Sequence, residues 1–137
     1  MRKAVFSYFC GNSYRKDNTK MYEAIIERIK ERLTGRELSA VIIPHISPDG
    51  DAAGSCSALW QVLDKVGIQA QLMTCDYIPD YLKWLKRIPD AISFQNRPKE
   101  CKQWLHKADI LFMLDHNTVA REGDLEPFVK EFEGEVI

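Results

Sequence analysis

The sequence predicts an α/β fold with a doubly wound, mostly parallel sheet and helices on both faces. Two apolar runs, 40–43 and 110–114, show no alternation with polar residues, which is typical of strands buried on both faces. Helical patterns, with apolar residues three or four positions apart, lie between the strands. Because parallel strands need long crossover connections, this alternation of strands and helices indicates a Rossmann-like arrangement.

The first half of the chain contains two amphipathic helices and a buried strand. Residues 18–35 predict the first helix, and the strand at 40–43 follows it. A second helix is predicted from about residue 52 to residue 66, and Gly67 is well placed to end it. The apolar stripe of this helix is formed by Cys56, Leu59, Trp60, Leu63 and Val66.

The second half continues the alternation. The patterns predict, in order, a strand at 69–74, a short helix at 79–87, a strand at 91–94, a helix at 100–107, a strand at 110–114, a helix at 125–132 and a strand from residue 135. Trp60, Trp84 and Trp104 all fit core positions of these helices. We take residues 1–36 as an N-terminal extension with one helix and residues 37–137 as the main domain.

Composition narrows the classes of function. The formal net charge is -1, so no basic field would recruit long nucleic acid. No apolar run approaches the ~20 residues that cross a membrane, and no secretory signal is evident. The cysteines form no CxxC pair, which favours reduced thiols and a cytoplasmic protein.

A polar loop directly after the first buried strand is the best candidate for a functional site. It carries His45, Asp49 and Asp51 within seven residues, and the later buried strand is likewise followed by an acid, Asp115. Carboxyl ends of parallel strands meet at one edge of a sheet, where ligands bind, so we expect these four side chains to lie close together. Carboxylates with one imidazole favour Mn²⁺ or another transition metal.

The residues of this loop predict a site for two metal ions. Pro48 fixes its own φ angle and Gly50 permits a tight turn, so that Asp49 and Asp51 can face different ions. Two ions ~3.5–4 Å apart would clamp a phosphoryl group and activate the attacking water. Asp115 is the natural bridge between the two ions.

Phosphate contacts are expected at the start of the second helix, whose amides favour an anion. Gly54 and Ser55 would let a phosphate approach closely, and Arg121 could reach it, although a surface salt bridge explains Arg121 equally well. The acids also have a simpler interpretation, in which Asp51 is only a helix N-cap and Asp115 only caps the following segment. The loop contains neither a GxGxxG fingerprint nor a Walker motif.

The stretch His45-Ile-Ser-Pro-Asp-Gly-Asp-Ala-Ala-Gly-Ser55 resembles the first motif of the DHH phosphoesterases. It is most similar to the branch of bifunctional oligoribonucleases (nanoRNases) and pAp phosphatases, as are the segments 79–85 and 114–121. The resemblance implies that His45 and Asp49 bind one Mn²⁺, that Asp51 binds a second, and that Asp115 bridges them, with Mg²⁺ or Co²⁺ as alternatives.

The resemblance also implies a function. It is the hydrolysis of short oligoribonucleotides, of nucleoside 3′,5′-bisphosphate (pAp), or of both, by a water that two metals activate. Polyphosphate and cyclic dinucleotides are the alternative substrates within the family, and a non-catalytic remnant that binds metal or nucleotide is the alternative outside it.

The name-giving Asp-His-His motif of this family would be expected on the strand that begins at Glu135, and the sequence does not contain it. We therefore expect a truncated DHH domain from a longer protein, without the C-terminal substrate domain. Such a chain should be inactive alone and hold the second ion weakly. In the non-catalytic alternative, an exposed sheet edge could let two copies pair as a homodimer.

Overall fold

The structure, a computed structural model that describes residues 37–116 and 123–137, contains a five-stranded parallel sheet in this part of the chain. The strands are β1 (Ser39–Pro44), β2 (Gln69–Thr74), β3 (Ile92–Ser93), β4 (Ile110–Leu114) and β5 (Glu135–Val136). Their order in the sheet is β3-β2-β1-β4-β5, and every pairing is parallel. This confirms the predicted doubly wound fold.

Three α-helices lie in the described residues: α1 (Gly50–Lys65), α2 (Pro98–Lys107) and α3 (Glu126–Lys130). Helix α1 begins two residues earlier than predicted, because Asp49 caps it. Its end agrees with the prediction, since Gly67 has a φ of 80° that suits glycine. Val66 does not join the apolar stripe, because it forms the C-cap and is 61% exposed.

The two faces of the sheet bury different helices. Val41 and Ile43 of β1 belong to an apolar cluster with residues of α2 and α3, such as Cys101, Leu105 and Val129. Ile42 points to the opposite face, because successive side chains alternate along a strand. Helix α1 packs against β1 and β2 and buries Ala52, Ala53, Cys56, Ser57, Trp60 and Leu63.

The segment after β2 differs from the prediction. Instead of a helix over 79–87, the chain forms a short 3₁₀ turn at Asp80–Leu82 and another at Ile88–Asp90. In the first turn only Leu82 is buried, while Trp84 is 79% exposed. The predicted core position of Trp84 is therefore wrong. Its physical reason is that 3₁₀ turns bring every third residue to one face, so the assumed helical stripe does not form.

Several predictions lie outside the described residues. They are the helix at 18–35, the extension 1–36 and Arg121. Residues Leu38–Ile137 form one compact unit. None of the helices among residues 37–116 and 123–137 is long and apolar enough to cross a membrane.

Candidate metal centre

The carboxyl ends of β1 and β4 place two candidate ligands side by side. In the register of these strands Pro44 pairs with Leu114, so His45 and Asp115 are the first residues beyond each strand. The chain runs from β1 outward to β2 and β3, then returns to the other side of β1 as β4. This reversal of strand order opens the crevice in which α/β proteins bind ligands.

Three of the predicted side chains meet in this crevice. Each of His45, Asp49 and Asp115 offers a ligand atom, and these atoms all lie within 4.8 Å of one another. The Nε2 atom of His45 is 3.5 Å from Oδ2 of Asp115. His45 is 6% exposed, whereas both carboxylates are exposed and can be reached from solvent. The structure thus brings together two carboxylates and one imidazole with few obstacles to an incoming ion.

The orientation of the His45 ring suits a metal ligand. Its Nδ1 atom lies 2.7 Å from the carbonyl oxygen of Ile46, which can only accept a hydrogen bond. Nδ1 is therefore the donor, and in the neutral ring Nε2 carries the lone pair on the side of Asp115. A backbone carbonyl that fixes the tautomer in this way is a usual partner of metal-binding histidines.

Asp115 has an unusual backbone conformation. Its φ angle is 59°, in the left-handed region that costs most residues free energy but that aspartate tolerates better than others. Such conformations persist where the surrounding structure holds them, and they are common at functional sites. The turn directs a side chain that is 44% exposed towards the crevice.

Asp49 caps a helix and also belongs to the cluster of His45, Asp49 and Asp115. Its Oδ1 atom accepts hydrogen bonds from the amides of Asp51 and Ala52, at 3.1 and 3.0 Å, and so caps α1. The simpler interpretation of Asp51 as the N-cap is therefore wrong. An ionised carboxylate has about four acceptor sites, so capping leaves Asp49 capable of binding a metal. Asp51 is exposed in the first turn of α1 and is not part of the three-residue cluster found in the described residues.

Comparison with protein families identifies this arrangement. The family model for the N-terminal domain of the DHH family matches residues 39–137, which include all three clustered residues. The chain belongs to the DHH family. Its parallel sheet is that of a phosphoesterase-type DHH domain.

A solved structure agrees with this assignment. An exopolyphosphatase-related protein from Bacteroides fragilis superposes with a TM-score of 0.78 and is 26% identical in sequence. The match covers 83% of this chain but only 33% of that one, so the chain spans about a third of the length of the solved neighbour. No curated protein matches the chain significantly.

The residues of the DHH domain that are predicted to contact phosphate lie near the start of helix α1. Gly54 and Ser55 lie in the second turn of α1, and a Cβ atom added at Gly54 would meet no atom within 4 Å. Packing within the described protein does not require glycine there, and the open space leaves room for a ligand. The amides of Asp51 and Ala52 already donate to Asp49, so fewer helix amides remain for an anion than the sequence suggested. The phosphate contacts stay a prediction.

The clustered side chains of the DHH domain offer only nitrogen and oxygen atoms to a metal. Cys56 is buried in α1 beneath the crevice, and burial, with a smaller contribution from the charge of Asp115, raises the pKa of its thiol to about 12. The thiol therefore stays protonated at neutral pH and is a poor metal ligand. Imidazole and carboxylates without a thiolate fit Mn²⁺ and Mg²⁺ better than softer metals.

Sequence reasoning missed one acid of the DHH domain. Asp76 follows β2 closely, and its carboxylate accepts hydrogen bonds from Ser47, in the middle of the loop that carries His45 and Asp49. The pattern that predicted Asp115, an acid just after a strand, could also have predicted Asp76. Asp76 was overlooked because β2 alternates only weakly and its end is less clear in the sequence.

Proposed function

We propose that this DHH domain provides part of the two-metal centre of a manganese-dependent phosphoesterase. In this proposal His45 and Asp49 bind one ion, Asp51 binds the second, and Asp115 bridges the two. The observation that carries the proposal is the cluster of His45, Asp49 and Asp115 at the crevice between β1 and β4.

The cluster has the electrostatic properties of a cation site. Two carboxylates lie close together beside an imidazole nitrogen, and a divalent cation would remove the repulsion between them. When bound, two such ions would neutralise the oxygens of a phosphoryl group and make a water molecule more acidic. The protein would contribute the rigid placement of the ligands, through the Nδ1 bond of His45 and the capping bonds of Asp49.

The proposed substrates are short oligoribonucleotides and nucleoside 3′,5′-bisphosphate. The support is the resemblance of residues 45–55 to the nanoRNase and pAp phosphatase branch, and the net charge of -1, which does not favour long nucleic acid. Polyphosphate is the second candidate, because the solved neighbour is named as exopolyphosphatase-related. We place the protein in the cytoplasm as part of the same proposal.

The first experiment is a calorimetric titration of the chain with Mn²⁺. Asp115→Asn is the better variant than Asp115→Ala, because asparagine also tolerates a φ of 59° while alanine would add backbone strain. We expect the variant to bind about 100-fold more weakly, since loss of a residue that only supports the ligands already costs about 10- to 100-fold. Asp90→Asn is the matched control, because Asp90 is an exposed acid outside the cluster.

Equal Mn²⁺ affinity of the Asp115→Asn variant and the unaltered chain would show that the ligand assignment is wrong. Failure of the unaltered chain to bind at millimolar Mn²⁺ would contradict a preformed metal site and favour the simpler interpretation, in which the acids only cap backbone groups. The substrate is decided separately, by comparing the hydrolysis of pAp, a diribonucleotide and polyphosphate in the presence of Mn²⁺ by the longest form of the protein that carries this domain.

A further inference from the structure

We infer that Asp76 is a positioning residue of the metal centre. Its carboxylate holds the loop between β1 and α1 in the conformation that brings His45 and Asp49 to Asp115. The inference rests on the proposed function, because it assigns a role to Asp76 in that same site.

The contact between Asp76 and the loop is made by three hydrogen bonds. The amide of Ser47 donates to both carboxylate oxygens of Asp76, at 3.0 and 3.1 Å, and the Ser47 hydroxyl donates to Oδ2 at 2.8 Å. Hydrogen bonds to an ionised carboxylate are about twice as strong as those between neutral groups. One side chain therefore fixes both the backbone and the side chain of Ser47.

Ser47 is the position at which the loop most needs support. Its φ angle is 52°, in the left-handed region that serine rarely adopts. Ser47 is also two residues from His45 and two residues from Asp49. A rotation of the backbone at Ser47 would therefore displace both candidate ligands, and the bonds to Asp76 offset the cost of the unusual angle.

Asp76 is itself held firmly by the sheet. The buried hydroxyl of Thr74, in the last residue of β2, donates to the carbonyl oxygen of Asp76 at 2.7 Å. The adjacent Cys75 is buried, and its carbonyl oxygen accepts a hydrogen bond from the amide of Gln95 at 3.3 Å. Because β2 pairs directly with β1, the support and the supported loop are parts of one sheet edge.

The geometry separates this role from that of a metal ligand. Both oxygens of Asp76 face Ser47, and Asp76 is not among the three clustered residues in the described part of the chain. A positioning role depends on hydrogen bonds, whereas a ligand or a long-range attraction for the cation depends on charge. Variants that change one property and keep the other can therefore distinguish the two.

The test measures Mn²⁺ affinity in four single variants and one double variant of the full chain. We expect about 10-fold weaker binding for Asp76→Ala, in line with the loss of a residue that orients ligands. Asp76→Asn keeps an oxygen for the Ser47 amide, so we expect a loss of about 3-fold at most. Asp80→Ala is the matched control. Asp80 is an exposed acid on the same segment, but it contacts Lys83 instead of the loop, so the Mn²⁺ affinity of this variant should be unchanged.

Ser47→Ala completes a double-mutant cycle. Alone it removes only the hydroxyl bond and should weaken binding about 3-fold, but combined with Asp76→Ala it should cause no further loss. If the two effects multiply instead, the shared hydrogen bond is not the cause and the inference fails. It fails equally if Asp76→Asn or Asp80→Ala weakens binding as much as Asp76→Ala, since charge alone would then explain the result.

A second measurement separates this inference from the proposed function. Hydrogen exchange of the Ser47 amide, followed by NMR without metal, should be slow in the unaltered chain and fast in Asp76→Ala, while the exchange of amides in β1 stays slow. Unchanged exchange at Ser47 would overturn the positioning role even if Mn²⁺ binds. If the unaltered chain binds no Mn²⁺, the metal proposal fails while the exchange result still decides whether Asp76 holds the loop. Should Asp76→Ala not fold, Asp76→Leu carries both measurements, because leucine fills the space of the carboxylate but accepts no hydrogen bond from the Ser47 amide.

Discussion

Asp109 and Asp115 lie at opposite ends of the same strand, β4, and have very different surroundings. Oδ2 of Asp109, before the strand, accepts hydrogen bonds from the amide and the hydroxyl of Ser39, at 3.0 and 3.3 Å. Asp115, after the strand, lies beside the imidazole of His45 and near a second carboxylate, Asp49. Asp109 is therefore surrounded by hydrogen-bond donors, whereas Asp115 lies beside hydrogen-bond acceptors.

The surroundings of the two acids distinguish a structural carboxylate from a functional one. A carboxylate among donors satisfies buried or partly buried N–H and O–H groups, so the fold itself explains its presence. A carboxylate beside another carboxylate is unfavourable without a cation, so the hydrogen bonds of the fold alone do not explain the pair. Side chains at the amino ends of the parallel strands, which we call the amino edge of the sheet, should therefore matter for stability. Side chains at the carboxyl ends, the carboxyl edge, should matter for binding.

The largest expected effect on stability is at the amino edge, at Gly134. A Cβ atom there would lie 2.5 Å from the carbonyl oxygen of Asp109 and 2.6 Å from the ring of Phe132, and the carbonyl cannot move because it accepts the amide of Glu135. We expect Gly134→Ala to lower the free energy of unfolding by about 3 kcal/mol, the upper part of the range for overpacking.

The matched control for Gly134 is Gly54 at the carboxyl edge, where an added Cβ would meet nothing within 4 Å. Gly54→Ala should raise the free energy of unfolding by up to about 1 kcal/mol, because alanine is the better helix former. Urea unfolding measures both. Equal losses in the two variants would remove the contrast between the edges.

The two acids of β4 give the next largest effect. Asp109→Ala should lower the free energy of unfolding by about 2 kcal/mol, since it leaves the amide of Ser39 without this partner, while the hydroxyl still donates to the carbonyl oxygen of Lys107 at 3.0 Å. Asp115→Asn, measured with a chelator, should change it by less than about 0.5 kcal/mol, as substitutions at exposed sites usually do. A large loss of stability in Asp115→Asn would show that Asp115 is structural.

The sequence was sufficient for what depends on local pattern. Unbroken apolar runs predicted β1 and β4, and the positions of His45 and Asp115 directly after them predicted the crevice at which they meet. These inferences hold because a parallel sheet brings all carboxyl ends to one edge, whatever the details of the connections.

The remaining features depend on contacts distant in the chain or on small geometric choices. Asp49 and Asp51 are both good N-caps, and the structure decides for Asp49, whose φ and ψ of -89° and -173° are extended. Trp84 was misplaced because the periodic pattern did not show that its segment forms 3₁₀ turns. The bond from Asp76 to Ser47 spans 29 residues, and no local pattern reports it.

The smallest expected effect is a pH dependence that again compares two places, the thiol beneath the crevice and a thiol on α2. Burial, then the charge of Asp115, raises the pKa of Cys56 from 9.0 to about 12. Burial, then the charge of Glu100, raises the pKa of Cys101 from 9.0 to about 11. Both thiols are neutral in the folded protein at pH 10, whereas in the unfolded chain they are mostly ionised.

The sign follows from which state loses protons first. Above about pH 9 ionisation of the thiols stabilises the unfolded chain. The contribution of the neutral thiols to stability is therefore full below pH 9 and is lost as the pH rises towards the pKa values of the folded protein. Each thiol contributes a slope of at most about 1.4 kcal/mol per pH unit. Between pH 8 and pH 10 the unaltered chain should therefore lose about 1 kcal/mol more than Cys56→Ala in urea unfolding. Parallel losses in the two proteins would mean that Cys56 ionises freely in the folded state, and that the floor of the crevice is open to water rather than closed beneath Asp115.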